Sequence, residues 1–263
     1  MPADPVLLET TGLERRFGGL VAVGDVDLEV AAGTVHGLIG PNGAGKTTLL
    51  NLIAGAIYPT KGAIRFAGDE ITRWSSATRG KAGIARTFQN LRLFTEMTVL
   101  ENVMLGMHVR TRAGLLGAIL RTSSQSAEEK KIRDTALQTL EFVGIGEMAN
   151  RPASSLAYGH RRLVEIARAM AGTPSLLLLD EPAAGLARGE ARELIGLIRR
   201  IRERGLTIIL VEHHIDVVLS SCERITVLHH GRKLAEGTPA EVRSHPEVIE
   251  AYYGSALPVA AHV

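Results

Sequence analysis

The chain has 263 residues, of which 45% are hydrophobic and 22% are charged, so a folded protein with a sizeable core is expected. Its 30 basic and 28 acidic residues nearly cancel, which argues against nucleic acid as a partner. The single cysteine, Cys222, excludes an internal disulfide framework and is expected to be a small buried side chain. No apolar run approaches the roughly 18 residues of a membrane span, and the first residues lack the features of a signal peptide. We therefore expect the chain to remain in the cytosol.

The first quarter of the chain alternates short apolar segments with Gly and Asp turns, which is typical of β-strands. The predicted strands are residues 6–9, 26–30, 34–39 and 63–66. A glycine-rich turn follows the third of them, and residues 46–54 then have the pattern of a helix. A strand, a glycine loop and a helix in this order predict the first unit of a parallel α/β sheet.

The middle of the chain, about residues 95–173, has a mainly helical pattern, clearest in residues 127–143. Residues 110–126 are basic and rich in Ser, and we interpret them as a surface insertion, a helical arm rather than a core element. The last third alternates again, with predicted strands at 175–179, 207–211 and 225–228 and predicted helices at 190–204 and 215–220. This alternation predicts a parallel sheet with helices on both faces.

The turn after the third strand matches the phosphate-binding loop pattern. Its glycines allow successive backbone N–H groups to point at a phosphate, and the helix that follows adds its positive end. Lys46 is expected to reach the β- and γ-phosphates of a nucleotide, and the Thr47 hydroxyl to bind Mg²⁺. A chance match is expected in roughly one chain in a hundred of this length, but the position between a strand and a helix argues against chance. The predicted nucleotide contacts are Gly40, Pro41, Asn42, Gly43, Ala44, Gly45, Lys46, Thr47 and Thr48.

A second motif lies at the predicted strand of four leucines, residues 176–179, which ends in Asp180 and Glu181. The carboxyl ends of strands are where α/β sheets bind their ligands. We expect Asp180 to hold Mg²⁺ through water and Glu181 to polarise an attacking water as general base. The alternative, a strand followed by an acidic helix cap, is less favoured because the phosphate-binding loop is present.

A third motif, residues 155–169, resembles the signature motif of ABC ATPases, usually Leu-Ser-Gly-Gly-Gln, which opens a helix. The resemblance implies that Ala157, Tyr158, Gly159 and His160 bind the γ-phosphate of ATP held on another subunit, through backbone N–H groups and the helix dipole. The chain departs from the usual motif at Ala157, Tyr158 and His160. The missing serine removes one hydroxyl donor, whereas the helix-end contacts are retained.

The same resemblance assigns further residues. Gln89 is similar to the glutamine that senses Mg²⁺ and links the core to the helical region, and His213 to the switch histidine that contacts the γ-phosphate. His214 follows it and receives no catalytic role. Phe17 matches the aromatic residue that stacks on adenine, with Val23 completing that wall. Core packing is the alternative for Phe17.

The resemblance covers about residues 7–254 and narrows to the ATPase subunits of branched-chain amino acid importers. It rests there on residues 86–94, 97–103, 181–185 and 246–254, and the insertion around 110–121 favours the longer of that system's two ATPases. It implies ATP and Mg²⁺ as ligands and a P-loop NTPase (RecA-like) fold, α/β, with a parallel sheet core, an N-terminal antiparallel β region and a helical subdomain. The implied boundaries are an ATPase domain at 1–240, with its core at 1–94 and 174–240 and its helical subdomain at 95–173, and a C-terminal tail at 241–263.

The implied assembly pairs this chain with a second ATPase subunit, in a homo- or heterodimer, at the cytoplasmic face of the membrane. Two membrane-spanning permease subunits and a solute-binding protein would complete this assembly. Nucleic acid is not among the implied partners. Related importers of urea or amides, and exporters of lipid or lipopolysaccharide, stay open as alternatives. A soluble ABC protein of DNA repair or translation usually needs two cassettes or a long coiled coil, for which this length has no room. A P-loop kinase would need a phosphoacceptor site and gives no reason for the signature helix.

One apolar segment follows the predicted glutamine, formed by Leu91, Leu93, Phe94 and Met97. In ABC proteins this segment lines a groove that accepts a short helix of the membrane subunit, and such a contact needs exposed apolar anchors. We therefore predict that Phe94 or Leu93 is partly exposed in the isolated subunit. Core packing is the alternative for some of these side chains.

Overall fold

The computed structural model describes residues 5–89, 91–107 and 123–253, and its strands form two sheets. The antiparallel sheet has the order β2-β1-β4-β5 and consists of β1 (Val6–Phe17), β2 (Leu20–Ala31), β4 (Lys61–Phe66) and β5 (Asp69–Glu70). The larger sheet has the order β10-β9-β3-β8-β7-β6 and is parallel except for its edge strand β10. Its strands are β3 (Val35–Ile39), β6 (Ile84–Arg86), β7 (Leu176–Asp180), β8 (Thr207–Val211), β9 (Arg224–His229) and β10 (Arg232–Gly237).

Helices connect these strands. They are α1 (Lys46–Ile53), α2 (Ser76–Ala82), α3 (Val99–Leu105), α4 (Ser123–Val143), α5 (Tyr158–Ala171), α6 (Arg188–Glu203), α7 (Ile215–Ser221), α8 (Pro239–Ser244) and α9 (Pro246–Tyr253). Within the described residues, none of them is both long and apolar enough to cross a membrane.

The central strands of the larger sheet are apolar throughout because both of its faces are covered. Every residue of β3, β7 and β8 is buried. Successive side chains of a strand point to opposite faces, so Leu177 and Leu179 pack into one hydrophobic cluster while Leu176 and Leu178 pack into another. The first cluster includes apolar side chains of α3 to α7, and the second includes those of α1 and the antiparallel sheet. The predicted parallel sheet with helices on both faces is therefore confirmed.

Several details differ from the sequence-based predictions. Strands β1 and β2 are longer than the predicted segments, and β6, β10, α8 and α9 were not predicted. Most of the predicted insertion at 110–126 lies outside the described residues, and residues 123–126 begin α4. Cys222 is buried, as expected. The subdomain boundaries at residues 94, 173 and 240 stay predictions.

Candidate active site

The loop between β3 and α1, residues 40–45, depends on two glycines that no other residue could replace. Gly40 has φ 150°, and a Cβ there would lie 2.1 Å from the carbonyl oxygen of Leu228. Gly45 has φ 102°, and a Cβ there would lie 2.4 Å from the carbonyl oxygen of Ala22. Both positions are closed to a side chain by sterics as well as by backbone conformation. The loop is thus fixed against β9 and β2 immediately before α1 begins.

Lys46 is the first residue of α1 and is folded across this loop. Its Nζ donates hydrogen bonds to the carbonyl oxygens of Gly40, at 2.6 Å, and Pro41, at 2.9 Å. The side chain is buried, and burial lowers the pKa of Lys46, whereas the nearby carboxylates of Glu181 and Asp180 oppose that shift. The loop therefore holds a positive charge in place before any anion binds.

A cleft of about 550 Å³ opens in front of this loop. It is lined by Phe17, Leu20, Val21, Ala22, Asn42, Gly43, Ala44, Gly45, Lys46, Thr47, Thr48, Gln89, Glu181, His213 and His230. The sequence had not pointed to Leu20, Val21, Ala22 or His230, because these residues reach the cleft only through the packing of β2 and the β9–β10 turn on the loop. Gly231, in that turn, donates its backbone N–H to the Ala44 carbonyl at 3.0 Å.

Two predicted adenine contacts have different outcomes. Phe17, at the end of β1, is 47% exposed, so core packing does not explain it, and the Arg15 guanidinium lies 4.6 Å from its ring centroid. Val23 is fully buried in the cluster between the two sheets. The prediction for Val23 is wrong, because this side chain is fully buried, and Val21 and Ala22 line the cleft instead, where the pairing of β2 with β1 is irregular.

Glu181 stands at the carboxyl end of β7, between two side chains from other parts of the chain. Its Oε2 accepts a hydrogen bond from Gln89 Nε2 at 2.8 Å, and its Oε1 lies 2.6 Å from His213 Nε2. Its backbone has φ 50°, a conformation that a non-glycine residue rarely adopts, and its N–H bonds to the Val211 carbonyl at 2.8 Å. Three predicted catalytic residues, separated widely in sequence, thus meet at one carboxylate.

Glu212, which the sequence analysis did not single out, fixes the turn that carries His213. It is almost fully buried and accepts a hydrogen bond from the Ala183 N–H at 2.6 Å and another from the His213 N–H at 3.1 Å. These bonds join the turn after β7 to the turn after β8. His214 points elsewhere, with its side chain 61% exposed and its Nδ1 3.3 Å from Glu212 Oε2. This geometry is consistent with the prediction that His213, and not His214, is the active-site histidine.

Asp180, the last residue of β7, is buried beside Arg86 of β6. The two side chains form an ion pair of 2.8 Å, and Arg86 also donates to Asn51 Oδ1 at 2.5 Å. The other carboxylate oxygen, Oδ1, has no hydrogen-bond partner within the described part of the chain. The described residues also hold no cluster of three or more His, Cys, Asp or Glu side chains suited to a metal ion.

The signature segment, residues 157–160, lies away from this cleft. Helix α5 begins at Tyr158, and its N-cap Ala157 makes no side-chain capping bond. At Gly159, a Cβ would lie 2.4 Å from Glu190 Oε1, so the close approach of α6 requires glycine there. None of Ala157, Tyr158, Gly159 and His160 lines the cleft of the phosphate loop. The structure of one chain does not bring these predicted nucleotide contacts to the loop.

A glycine loop before a helix, with two carboxylates at the carboxyl end of β7, two strands away in the same sheet, defines a P-loop nucleotide-hydrolysing protein. Residues 23–184 match the family model described as ABC transporter, and residues 232–255 match one described as branched-chain amino acid ATP-binding cassette transporter. The chain belongs to the ABC transporter family. It is the kind of subunit that binds and hydrolyses ATP in such a transporter.

Known relatives agree over nearly the full length of the chain. The high-affinity branched-chain amino acid transport ATP-binding protein BraF of Pseudomonas aeruginosa is 44% identical over 251 residues, which are 95% of this chain and 98% of that protein. The ADP conformation of MJ1267, an ATP-binding cassette of an ABC transporter, has a TM-score of 0.83 and 32% identity, covering 95% of this chain and 99% of that one. A dimeric post-hydrolysis structure of the cassette MJ0796, bound to ADP and phosphate, has a TM-score of 0.74 and 26% identity, covering 89% and 99%.

Proposed function

We propose that this chain powers the import of branched-chain amino acids by binding and hydrolysing ATP with Mg²⁺ as one half of a two-chain ATPase. The observation that carries the hydrolytic part is the carboxylate of Glu181, held by Gln89 and His213 in the cleft of the phosphate loop. The solute is inferred from the relative BraF and from the match of residues 232–255.

The roles of the site residues follow from their positions. The loop N–H groups and Lys46 bind the phosphates, and the exposed ring of Phe17 stacks on the base. Glu181 accepts a proton from the attacking water, because Gln89 and His213 each occupy one of its oxygens and leave a lone pair free on both. In this proposal His213, which lines the same cleft, contacts the γ-phosphate, as the resemblance implies.

Mg²⁺, when bound, neutralises charge that develops on the phosphate oxygens. Thr47, Gln89 and Asp180 are the residues proposed to hold it. The buried, unpartnered Oδ1 of Asp180 fits this assignment, because a carboxylate oxygen without a donor is suited to a cation or to the water around one.

The second ATPase chain is proposed because one chain does not complete the site. The signature residues Ala157 to His160 do not line the cleft of their own chain. In a dimer, the N-terminus of α5 of each subunit would instead face the nucleotide on the other, where backbone N–H groups attract phosphate. The dimeric arrangement of MJ0796 supports this proposal.

A membrane partner is proposed to bind a separate groove of about 620 Å³, which we call the membrane groove. Phe94, one of its lining residues, is 55% exposed, so the predicted exposure of Phe94 or Leu93 is confirmed. An exposed aromatic ring beside a groove is suited to anchor a short helix of a permease subunit. This contact would hold the chain at the cytoplasmic face of the membrane. The other lining residues include Ile84, Ala85, Phe88, Arg92, Leu105 and Arg168.

Transport in a reconstituted system tests the proposed function. The chain would be assembled in liposomes with its second ATPase chain, permease subunits and solute-binding protein. We expect ATP-dependent uptake of radiolabelled leucine, isoleucine and valine, with no uptake of urea or lysine above background. ATP-dependent transport of urea or an amide, without transport of leucine, would overturn the proposed solute but leave the ATPase role in place.

Lys46→Ala is expected to weaken ATP binding itself. The ammonium compensates phosphate charge in both the ground state and the transition state, and a hydrogen bond to a charged group contributes roughly 1.5–3 kcal/mol, or about ten- to a hundredfold in affinity. Equilibrium titration with a fluorescent ATP analogue measures the effect. Lys81→Ala, at an exposed position in α2, is the matched control. Unchanged affinity in Lys46→Ala would show that the phosphate loop is assigned wrongly.

The two adjacent histidines are expected to behave differently. His213→Ala removes the partner of Glu181 Oε1 and should lower the rate of hydrolysis by about 10²-fold while sparing ATP affinity. His214→Ala removes a mostly exposed side chain and should leave the rate within about twofold. Steady-state phosphate release by the two variants decides the assignment. A defect in His214→Ala with a normal His213→Ala would place the switch residue one position further on.

A further inference from the structure

Two charged side chains of α5 are buried without an assigned role. Arg162 and Glu165 are each 1% exposed and form an ion pair of 2.9 Å, one helical turn apart. Removing charges from water is costly unless hydrogen bonds satisfy the groups that are buried. The contacts of this pair beyond the ion pair itself therefore indicate what it does.

Besides an ion pair of 4.0 Å between Glu165 and Arg168, the main contacts are with the backbone of Phe88 and Gln89. Glu165 Oε1 accepts the Phe88 N–H at 3.2 Å, and Arg162 Nη1 donates to the Phe88 carbonyl at 2.9 Å. Arg162 Nη2 donates to the Gln89 carbonyl at 3.1 Å. The planar guanidinium serves two successive carbonyls and the carboxylate at once, which a lysine ammonium has no matching geometry to do. The peptide groups on both sides of the Gln89 Cα atom are thus attached to α5.

The contacts continue in both directions from this attachment. Towards the catalytic carboxylate, Gln89 Nε2 donates to Glu181 Oε2 at 2.8 Å. Towards the start of α5, Arg162 Nη2 lies 3.0 Å from the hydroxyl of Tyr158, which is part of the signature segment. A continuous series of hydrogen bonds therefore joins Tyr158, Arg162, Gln89 and Glu181 within one chain. Two faces of the molecule that do not share a cleft are connected by it.

We propose that Arg162 and Glu165 are positioning residues, which attach Gln89 to α5 so that the signature segment and the glutamine move as one body. The inference rests on the proposed role of Gln89 in hydrolysis. The partner's nucleotide is proposed to bind at the N-terminus of α5. Through Arg162 and Gln89, a contact made there is connected directly to Glu181 of the same chain. Arg162 does not line the cleft of the phosphate loop and acts through the position of the Gln89 side chain.

The first test replaces Arg162 by Lys in the full chain. The variant keeps a positive charge beside Glu165 but cannot donate to both carbonyls in the same fork geometry. We expect kcat for ATP to fall by about tenfold, since a misplaced catalytic group costs between one and two orders of magnitude. The KM for ATP should stay within about threefold, because the phosphate loop is unchanged.

The matched control is Arg161→Gln, which removes the neighbouring arginine of the same helix. Arg161 donates to the carbonyls of Leu156 and Ser154 and makes no bond to Phe88 or Gln89. Its kcat should stay within about twofold of the parent. Glu165→Gln is the second variant, because it keeps an acceptor for the Phe88 N–H while removing the charge. We expect it to lower kcat in the same direction as Arg162→Lys, and normal kcat in both variants would overturn the proposal.

A double-mutant cycle with Gln89→Ala separates positioning from a merely structural role. If Arg162 acts through Gln89, adding Arg162→Lys to Gln89→Ala should cause no further loss of kcat. If the decreases in kcat of the two single variants multiply in the double variant, the two residues act independently. That result would overturn the inference while leaving the role of Gln89 intact. A fall in melting temperature with unchanged kcat would also overturn it, because the pair would then only stabilise the fold. Normal hydrolysis in Gln89→Ala would overturn the proposed role of Gln89 and this inference together.

Discussion

Glu181→Gln is expected to lower ATP turnover by about 10²–10⁴-fold, the range for loss of a general base, while ATP affinity stays unchanged. Glutamine has the same size and can still bond to Gln89 and His213, but it cannot accept a proton from water. The variant separates chemistry from binding for this reason. Phosphate release gives the turnover, and titration with a fluorescent ATP analogue gives the affinity.

A second observable follows from the proposed dimer. If ATP bound between two subunits is not hydrolysed, it should hold them together, so Glu181→Gln should elute as a dimer when ATP is present and as a monomer without it. Glu203→Gln, an exposed change at the end of α6, controls for loss of a carboxylate. Near-normal steady-state hydrolysis by Glu181→Gln would exclude Glu181 as the base.

Phe94→Asp is expected to abolish transport while leaving the isolated subunit intact. The ring is 55% exposed, so placing a carboxylate there costs little in the free chain, and the melting temperature should change by less than about 3 °C. At a contact with a permease helix, the same carboxylate would be buried without a partner, which is strongly unfavourable. ATP binding and ATPase activity of the purified subunit should persist, whereas uptake by the assembled complex should be lost.

Two further variants test whether the loss of uptake in Phe94→Asp is specific to the membrane groove. Ile249→Asp introduces the same charge at another exposed apolar side chain, on α9 and outside the membrane groove, and should preserve uptake. Phe94→Leu keeps an apolar anchor and should retain part of the uptake. Joint loss of ATPase activity and uptake in Phe94→Asp, with a large fall in melting temperature, would identify Phe94 as an ordinary structural residue and contradict the coupling role.

The local motifs could be predicted because their chemistry is contained in consecutive residues. A phosphate loop needs glycines at fixed positions directly before a helix, and the observed φ angles of Gly40 and Gly45 and the start of α1 at Lys46 follow that requirement. The strand of leucines ending in Asp180 is likewise explicit in the sequence, since a strand buried on both faces is a continuous apolar run. These two motifs, together with the alternation of strands and helices, predicted the fold class, and the resemblance of residues 155–169 to the signature motif added the ABC family.

Only the tertiary structure decided which side chains meet across long separations in sequence. Three contacts have no local pattern, because their partners are far apart in the sequence: the ion pair of Arg86 with Asp180, the bond of buried Glu212 to the turn after β7, and the attachment of Gln89 to Arg162. The prediction for Val23 failed for a related reason, because β2 pairs irregularly with β1 at this end and the sequence pattern does not show which of its side chains enters the core. Sequence determines the chemistry that a short segment can offer, whereas packing of the sheets and helices determines which of those groups come within 3 Å of each other.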